Sequence, residues 1–230
     1  MIELQNITFK LSSPSGEKTI LDNISYTFKD NCLTAITGLN GSGKSTLTKI
    51  IMGIVTPTTG KVLFNGKDIT SLSVDERASL GLNYAFQQPV TFKGLTIKEL
   101  IDIASGTNNT IPKACEQLSK VGICAKEYIG REFDKTLSGG EQKRIELALT
   151  LAKKGNTLIF DEPEAGIDLW SFDKLGELLP RNKCCIVVSH QEKLLELADE
   201  ILVLENGKIK DTGNSKNILK SLKCAKLEAK

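Results

Sequence analysis

A short apolar stretch that runs directly into a glycine-rich loop constrains this chain more than any other feature. Residues 33–37 (Leu-Thr-Ala-Ile-Thr) predict a buried strand, and the loop after them fits the pattern GxxxxGK[ST] at every fixed position. Apolar residues then recur at helical spacing, which predicts a helix that begins at the loop; they are Leu47, Ile50, Ile51 and Ile54. A strand, a phosphate-binding loop and a helix in this order are typical of an α/β nucleotide-binding core.

The residue types of this loop suit phosphate. Its glycines let the backbone curl, so that several N–H groups point inward at phosphate oxygens. Lys44 adds a positive charge for the β- and γ-phosphates, and the Ser45 hydroxyl is expected to bind Mg²⁺ at the positive end of the helix. We therefore predict a nucleotide-binding role for Gly38, Asn40, Gly41, Ser42, Gly43, Lys44, Ser45 and Thr46.

Two acidic residues stand at the end of a second apolar strand. Residues 157–160 are Thr-Leu-Ile-Phe, and Asp161 and Glu162 follow them. Carboxylates at a buried strand end are costly unless a cation is present. We predict that Asp161 faces Mg²⁺ and that Glu162, which points the other way, holds the attacking water as a base or orienting group. A helix cap is the alternative for such a pair, and the phosphate loop upstream disfavours it.

A serine followed by two glycines opens another predicted helix. In the run Leu-Ser-Gly-Gly-Glu at 137–141, Ser138 stands three residues before Glu141, which is the spacing of a capping box. The hydroxyl and the exposed N–H groups of such a helix N-terminus also suit an anion. Capping and phosphate binding are compatible, so the sequence leaves both roles open.

These three motifs, in this order, resemble an ABC-type ATPase domain, and the resemblance covers nearly the whole chain. It implies a single α/β domain over residues 1–230: a P-loop NTPase core with a mostly parallel sheet, an N-terminal antiparallel β subdomain, and an inserted helical subdomain at about 90–145. It also implies an enzyme that binds ATP and Mg²⁺ and hydrolyses ATP.

Further roles follow from the same resemblance. Gln87 matches the glutamine that senses Mg²⁺ and couples the core to the helical subdomain, and it is expected with Ser45 and Asp161 around the metal. His190 matches the histidine that contacts the γ-phosphate, and Asp168 lies in the loop that crosses the dimer interface. Family members pair head to tail as a nucleotide-sandwich homodimer, so a second ABC ATPase subunit is expected to meet the nucleotide through Ser138, Gly139, Gly140 and Glu141.

One position departs from the family pattern. The family places an aromatic residue just after the first strand, where it stacks on adenine. The matching position here is about Leu11, with Phe9 two residues earlier. We therefore expect Leu11 to contact the base with weaker stacking.

Local similarities favour one branch of the family. Similarity to SufC-type ATPases of iron–sulfur cluster assembly is found in residues 72–78 and 85–90, in the run Glu-Gln-Lys-Arg at 141–144 and in the segment 161–172. SufC-type ATPases also tend to lack the stacking aromatic residue. This similarity predicts a SufB-like scaffold protein as partner. The alternative is the ATP-binding subunit of a membrane transporter, with a transmembrane permease subunit as partner. An ATP-gated clamp module is disfavoured, because Glu162 and His190 are both present.

Composition and charge argue against several classes of partner, location and site. The net charge of +2 gives no reason to expect a nucleic-acid partner. No run of about 18 apolar residues is present, and no secretion signal is recognisable at the N-terminus, which predicts a cytoplasmic protein, peripheral to the membrane if it serves a transporter. The six cysteines have neither CxxC nor zinc-site spacing and are expected to be reduced thiols.

Overall fold

The computed structural model describes residues 1–13, 16–166 and 175–228, and its elements alternate between strands and helices. The strands are β1 (Ile2–Ser13), β2 (Gly16–Phe28), β3 (Cys32–Thr37), β4 (Thr59–Phe64), β5 (Lys67–Asp68), β6 (Leu82–Ala85), β7 (Phe92–Thr96), β8 (Glu132–Phe133), β9 (Thr157–Asp161), β10 (Cys184–Val188), β11 (Glu200–Glu205) and β12 (Lys208–Asn214). The helices are α1 (Lys44–Met52), α2 (Val74–Ser79), α3 (Ile97–Ser105), α4 (Ile111–Lys120), α5 (Ala125–Tyr128), α6 (Gly139–Ala152), α7 (Glu192–Leu197) and α8 (Ser215–Glu228).

A six-stranded sheet forms the centre, in the order β12-β11-β3-β10-β9-β6. Every neighbouring pair from β11 to β6 is parallel, and only β12 runs antiparallel to its neighbour. The predicted α/β fold with a mostly parallel sheet is therefore confirmed. Because parallel strands end at the same edge of a sheet, the segments that follow β3, β10, β9 and β6 are brought together there.

An antiparallel sheet packs over one side of this core. Its order is β2-β1-β4-β5, which confirms the expected antiparallel β subdomain. Helix α1 lies between the two sheets, because Leu47, Ile50 and Ile51 are fully buried in one cluster with side chains of β1 and β2 and with Ile159 and Ile186 of the central sheet.

Helix α1 is shorter than the sequence predicted. It ends at Met52, since Gly53 adopts a left-handed φ of 80° and caps it, so Ile54 lies beyond the helix. A Cβ atom on Gly53 would lie 2.8 Å from Nε of Arg77, a buried side chain that donates hydrogen bonds to the carbonyl oxygens of Ile50 and Ile51. The guanidinium of Arg77 therefore closes the end of the helix that begins at the phosphate loop.

A second buried cluster joins the other face of the central sheet to apolar side chains of α3, α4, α5 and α6, and also of α7 and α8. Helix α6 packs on β6, and α3 and α4 pack on α6. Between these helices lies a small antiparallel sheet of β7 and β8, where the sequence predicted mainly helix. The helical subdomain expected at about 90–145 stays a prediction as a separate unit.

Candidate functional site

Three glycines give the loop after β3 its shape. Gly38, Gly41 and Gly43 have φ angles of 142°, 79° and 100°, which side-chain-bearing residues rarely adopt. Neighbouring elements also leave no room for a side chain at two of them: a Cβ atom on Gly38 would lie 2.0 Å from the carbonyl oxygen of Leu204, and one on Gly43 would lie 2.5 Å from Leu21 Cδ2. The loop conformation therefore depends on glycine at these positions.

The loop carries a buried charge and a buried hydroxyl. Lys44 is 5% exposed, and its Nζ donates hydrogen bonds to the carbonyl oxygens of Gly38 at 2.9 Å and Leu39 at 3.0 Å. Burial lowers the pKa of Lys44, while the carboxylates of Glu162 and Asp161 oppose that shift. Ser42 Oγ is buried and has no hydrogen-bond partner in the described part of the chain. An ordered water or a ligand satisfies a buried polar atom of this kind, and a phosphate oxygen is an acceptor that suits it.

A hydroxyl network surrounds the carboxylate of Asp161. Ser45 Oγ donates to Asp161 Oδ1 at 2.9 Å, and the Tyr84 hydroxyl donates to Asp161 Oδ2 at 2.8 Å. Thr48 Oγ1 lies 3.2 Å from the Tyr84 oxygen and donates to the carbonyl oxygen of Ser45. The structure thus brings the predicted metal residues Ser45 and Asp161 together, and their oxygen donors are of the kind that Mg²⁺ prefers.

Tyr84 was not predicted as a site residue. It lies in β6, next to β9, and is 5% exposed. Burial raises its pKa strongly, so it donates its proton to Asp161 as a neutral phenol. A phenol within a buried strand is the only signal in the sequence that could have pointed to it.

Glu162 faces partners different from those of Asp161. Its backbone has a left-handed φ of 48°, and its N–H donates to the carbonyl oxygen of Val188 at 3.0 Å. Gln87 Nε2 donates to Glu162 Oε2 at 2.6 Å, and His190 Nε2 lies 3.7 Å from Glu162 Oε1. Gln87 was expected near the metal residues, but its hydrogen bond goes to Glu162, while those of Asp161 go to hydroxyl groups.

The charge state of His190 follows from its surroundings. Burial, helped by the nearby charge of Lys44, lowers its pKa below the usual 6.5, while Glu162 opposes the shift. The imidazole is therefore neutral at pH 7 and can accept or donate a hydrogen bond beside the Glu162 carboxylate.

The Ser-Gly-Gly-Glu residues lie elsewhere on the chain. Ser138 caps α6, where its N–H donates to Glu141 Oε2 at 2.8 Å and its Oγ accepts from the N–H of Glu141. The Tyr128 hydroxyl donates to the other oxygen of Glu141. Within the described residues, none of these groups bonds to the phosphate loop, so the capping role of Ser138 is confirmed and its phosphate-binding role stays a prediction.

The structure says less about two of the predicted site residues, Leu11 and Asp168. Leu11 is 49% exposed and pairs with Lys18 near the tip of the β1–β2 hairpin. Asp168, expected in the loop that crosses the dimer interface, lies outside the described residues.

Known proteins with similar sequences identify the family. The profile of the family described as "ABC transporter" matches residues 21–165. The chain belongs to the ABC transporter ATP-binding family. It is 36% identical over 215 residues to an uncharacterised ABC transporter ATP-binding protein of Methanocaldococcus jannaschii, a match that covers 88% of this chain and 86% of that protein. As a member of this family, the chain is an ATPase that binds ATP with Mg²⁺.

Other relatives agree with this assignment. The probable branched-chain amino acid transport ATP-binding protein LivF of Archaeoglobus fulgidus is 34% identical over 232 residues, with 96% of each chain covered. Energy-coupling factor transporter ATP-binding protein EcfA1 of Mycoplasmopsis synoviae is 33% identical, covering 95% of this chain and 85% of that protein. Among solved structures, a dimeric ATP-binding cassette with ADP and Pi superposes with a TM-score of 0.84 at 24% identity, covering 94% of this chain and 99% of that one, which shows the shared fold.

Proposed function

We propose that this chain is the ATP-hydrolysing subunit of an ABC membrane transporter. The observation that carries the proposal is a set of three exposed apolar side chains between the end of β6 and the first residue of β7. Phe86, Val90 and Phe92, which we call the loop patch, are 38%, 50% and 44% exposed. Gln87 lies within the same loop and touches Glu162. A permease segment seated on the loop patch would therefore act next to a residue that contacts the proposed catalytic carboxylate.

The names of relatives support a transporter partner. The proteins from Archaeoglobus fulgidus and Mycoplasmopsis synoviae are named for branched-chain amino acid and energy-coupling factor transport. No described helix of this chain is long and apolar enough to cross a bilayer. In this proposal a separate permease spans the membrane, and the ATPase lies at the membrane surface.

Each catalytic side chain has a role that its contacts support. Lys44 supplies positive charge at the loop, and Ser45 and Asp161 would hold Mg²⁺, whose charge neutralises the phosphates when it is bound. Glu162 orients the attacking water. Gln87 and the neutral His190 fix the direction of that carboxylate through their contacts of 2.6 and 3.7 Å.

A second ATPase subunit completes the site in this proposal. Ser138, Gly139 and Gly140 make no hydrogen bond to the phosphate loop of their own chain, as far as the structure describes it. The N-terminus of α6 can therefore serve the nucleotide of a partner, with Asp168 in the connecting loop. The similar solved cassette is itself a dimer, which is consistent with this arrangement.

Iron–sulfur cluster assembly is the second candidate. The observation in its favour is the similarity of residues 72–78, 85–90, 141–144 and 161–172 to SufC-type ATPases, which would imply a soluble SufB-like scaffold on the loop patch. The relatives reported above do not support this finer assignment, because they carry transporter names.

The two candidates are separated by identifying the partner. The tagged chain is purified from the membrane and soluble fractions of its host, beside a Phe92→Glu variant. We expect a multi-span membrane protein with the wild-type chain and its loss with the variant. The control is Ile111→Glu, at an apolar α4 residue that is 62% exposed and outside the loop patch. A soluble β-helical scaffold that depends on Phe92 in the same way would reject the transporter and establish cluster assembly.

A further inference from the structure

Helix α6 carries a buried ion pair on the side that faces β6. Lys143 is 1% exposed and Glu146 is 9% exposed, and Lys143 Nζ lies 3.1 Å from Glu146 Oε2. The two residues are three positions apart, so their side chains lie on the same face of the helix. Lys and Glu are almost never buried unless they are paired, which makes the surroundings of this pair informative.

Both side chains bind the backbone of the loop that contains Gln87. Glu146 Oε1 accepts a hydrogen bond from the Phe86 N–H at 3.0 Å. Lys143 Nζ donates to the carbonyl oxygen of Phe86 and, at 3.2 Å, to that of Gln87. With its bond to Glu146, the ammonium uses all three of its protons. The pair thus holds three backbone groups just after β6 ends at Ala85.

A contribution to stability does not explain this pair. A buried ion pair loses its hydration, and well-packed apolar side chains of similar volume are often as stabilising. Burial raises the pKa of Glu146, even though Lys143 lies beside it, which shows that the site is costly for a charge. Apolar side chains cannot, however, hold the N–H and carbonyl groups of two successive residues in fixed directions.

We propose that Lys143 and Glu146 are positioning residues for ATP hydrolysis: they fix the backbone at Phe86 and Gln87, so that the Gln87 amide meets Glu162. The helix that carries them begins at Gly139, with Ser138 as its N-cap. A movement of that helix N-terminus toward a second subunit is therefore transmitted to Gln87 through two buried side chains. The inference rests on the proposed roles of Gln87 and Glu162.

The test replaces the pair by apolar residues of similar size. In Lys143→Met/Glu146→Leu we expect kcat to fall at least about tenfold, because misplacing a catalytic group is costly. The KM for ATP should stay within about twofold, since neither residue touches the phosphate loop. The matched control makes the same replacements at the exposed α4 pair, Lys120→Met/Glu116→Leu, and should keep the wild-type kcat.

A double-mutant cycle tells whether the pair acts through Gln87. If it does, adding the apolar pair to Gln87→Ala causes no further loss of kcat. The proposal is overturned if the apolar pair keeps the wild-type kcat, or if it lowers kcat by the same factor in both backgrounds. A wild-type rate for Gln87→Ala alone would instead reject the proposed role of Gln87.

A milder variant covers the case in which the apolar pair does not fold. Glu146→Gln keeps an acceptor for the Phe86 N–H but removes the charge beside Lys143. We expect a smaller loss of kcat with an unchanged KM, and an unchanged kcat in this folded variant would also overturn the proposal.

Discussion

The side-chain amide of Gln87 donates a hydrogen bond of 2.6 Å to Glu162 across 75 positions of sequence. His190 approaches the other oxygen of the same carboxylate at 3.7 Å. The left-handed φ of 48° at Glu162 turns this side chain away from the hydroxyl network around Asp161. Two successive acids therefore meet different partners, which separates the carboxylate that we propose holds Mg²⁺ from the one that we propose orients water.

Replacing Glu162 by Gln should separate ATP binding from hydrolysis. The amide keeps the size of the side chain but cannot act as a base, so we expect turnover to fall at least about 100-fold. Phosphate contacts do not depend on Glu162, so ATP affinity should change little, and the ATP-bound variant should accumulate as a dimer. ATPase assays, calorimetry and size-exclusion chromatography measure these three properties. Wild-type turnover would contradict the assignment, and Glu116→Gln, an exposed α4 position, is the control.

Tyr84→Phe should weaken the response to Mg²⁺. The change removes the 2.8 Å hydrogen bond to Asp161 Oδ2 and leaves the ring in place. Because groups that orient a metal ligand typically contribute 10–100-fold to metal affinity, we expect half-maximal ATPase activity to require roughly tenfold more Mg²⁺. A Mg²⁺ titration measures this. Tyr26→Phe, which removes a hydroxyl bonded to Glu200, is the control, and equal Mg²⁺ requirements in both variants would exclude this role.

Much of the fold was predictable because its signals are local. The loop that begins at Gly38 needs a strand before it and a helix after it, and the apolar run before Asp161 indicated the buried strand β9. The small sheet of β7 and β8 was missed. Its pairing joins Phe92 to Phe133, and each strand is too short to show alternation by itself.

The site residues likewise fall into those that the sequence predicts and those that it does not. Ser45, Asp161 and Glu162 were predicted from motifs, because phosphate and metal chemistry restrict the residue types, and His190 was predicted from the family resemblance. Lys143 was not identified as a site residue, since a lysine within a helix is normally a solvated surface position. Its partners are backbone atoms of another loop, and backbone atoms leave no pattern in the sequence.

The described cysteines should differ in their reactivity. Burial raises the pKa of Cys184 to about 11 and also raises that of Cys185, whereas Cys124 is exposed. The thiolate is the reacting form, so at pH 8 iodoacetamide should modify Cys124 and spare Cys184 and Cys185 while the protein is folded. Peptide mass spectrometry measures the modification, with the unfolded chain as control. Rapid labelling of Cys185 in the folded protein would contradict its burial.

Glu164→Gln should stabilise the protein at neutral pH but not in mild acid. Glu164 Oε1 accepts a hydrogen bond from Ser189 Oγ at 2.5 Å, while Oε2 is buried without a partner in the described structure. Burial raises the pKa of this carboxyl above its ordinary value of 4.5. The folded state therefore binds the proton more tightly, and stability is lost as pH rises from 4.5 through the folded-state pKa. Glutamine still accepts the hydrogen bond from Ser189 and never ionises. We therefore expect the free energy of unfolding, measured with urea at pH 7.5, to rise by roughly 1 kcal/mol, and this difference from the wild type to shrink toward pH 5. Glu196→Gln, an exposed α7 residue, should show no such dependence, and an equal gain at both pH values would contradict the role of ionisation.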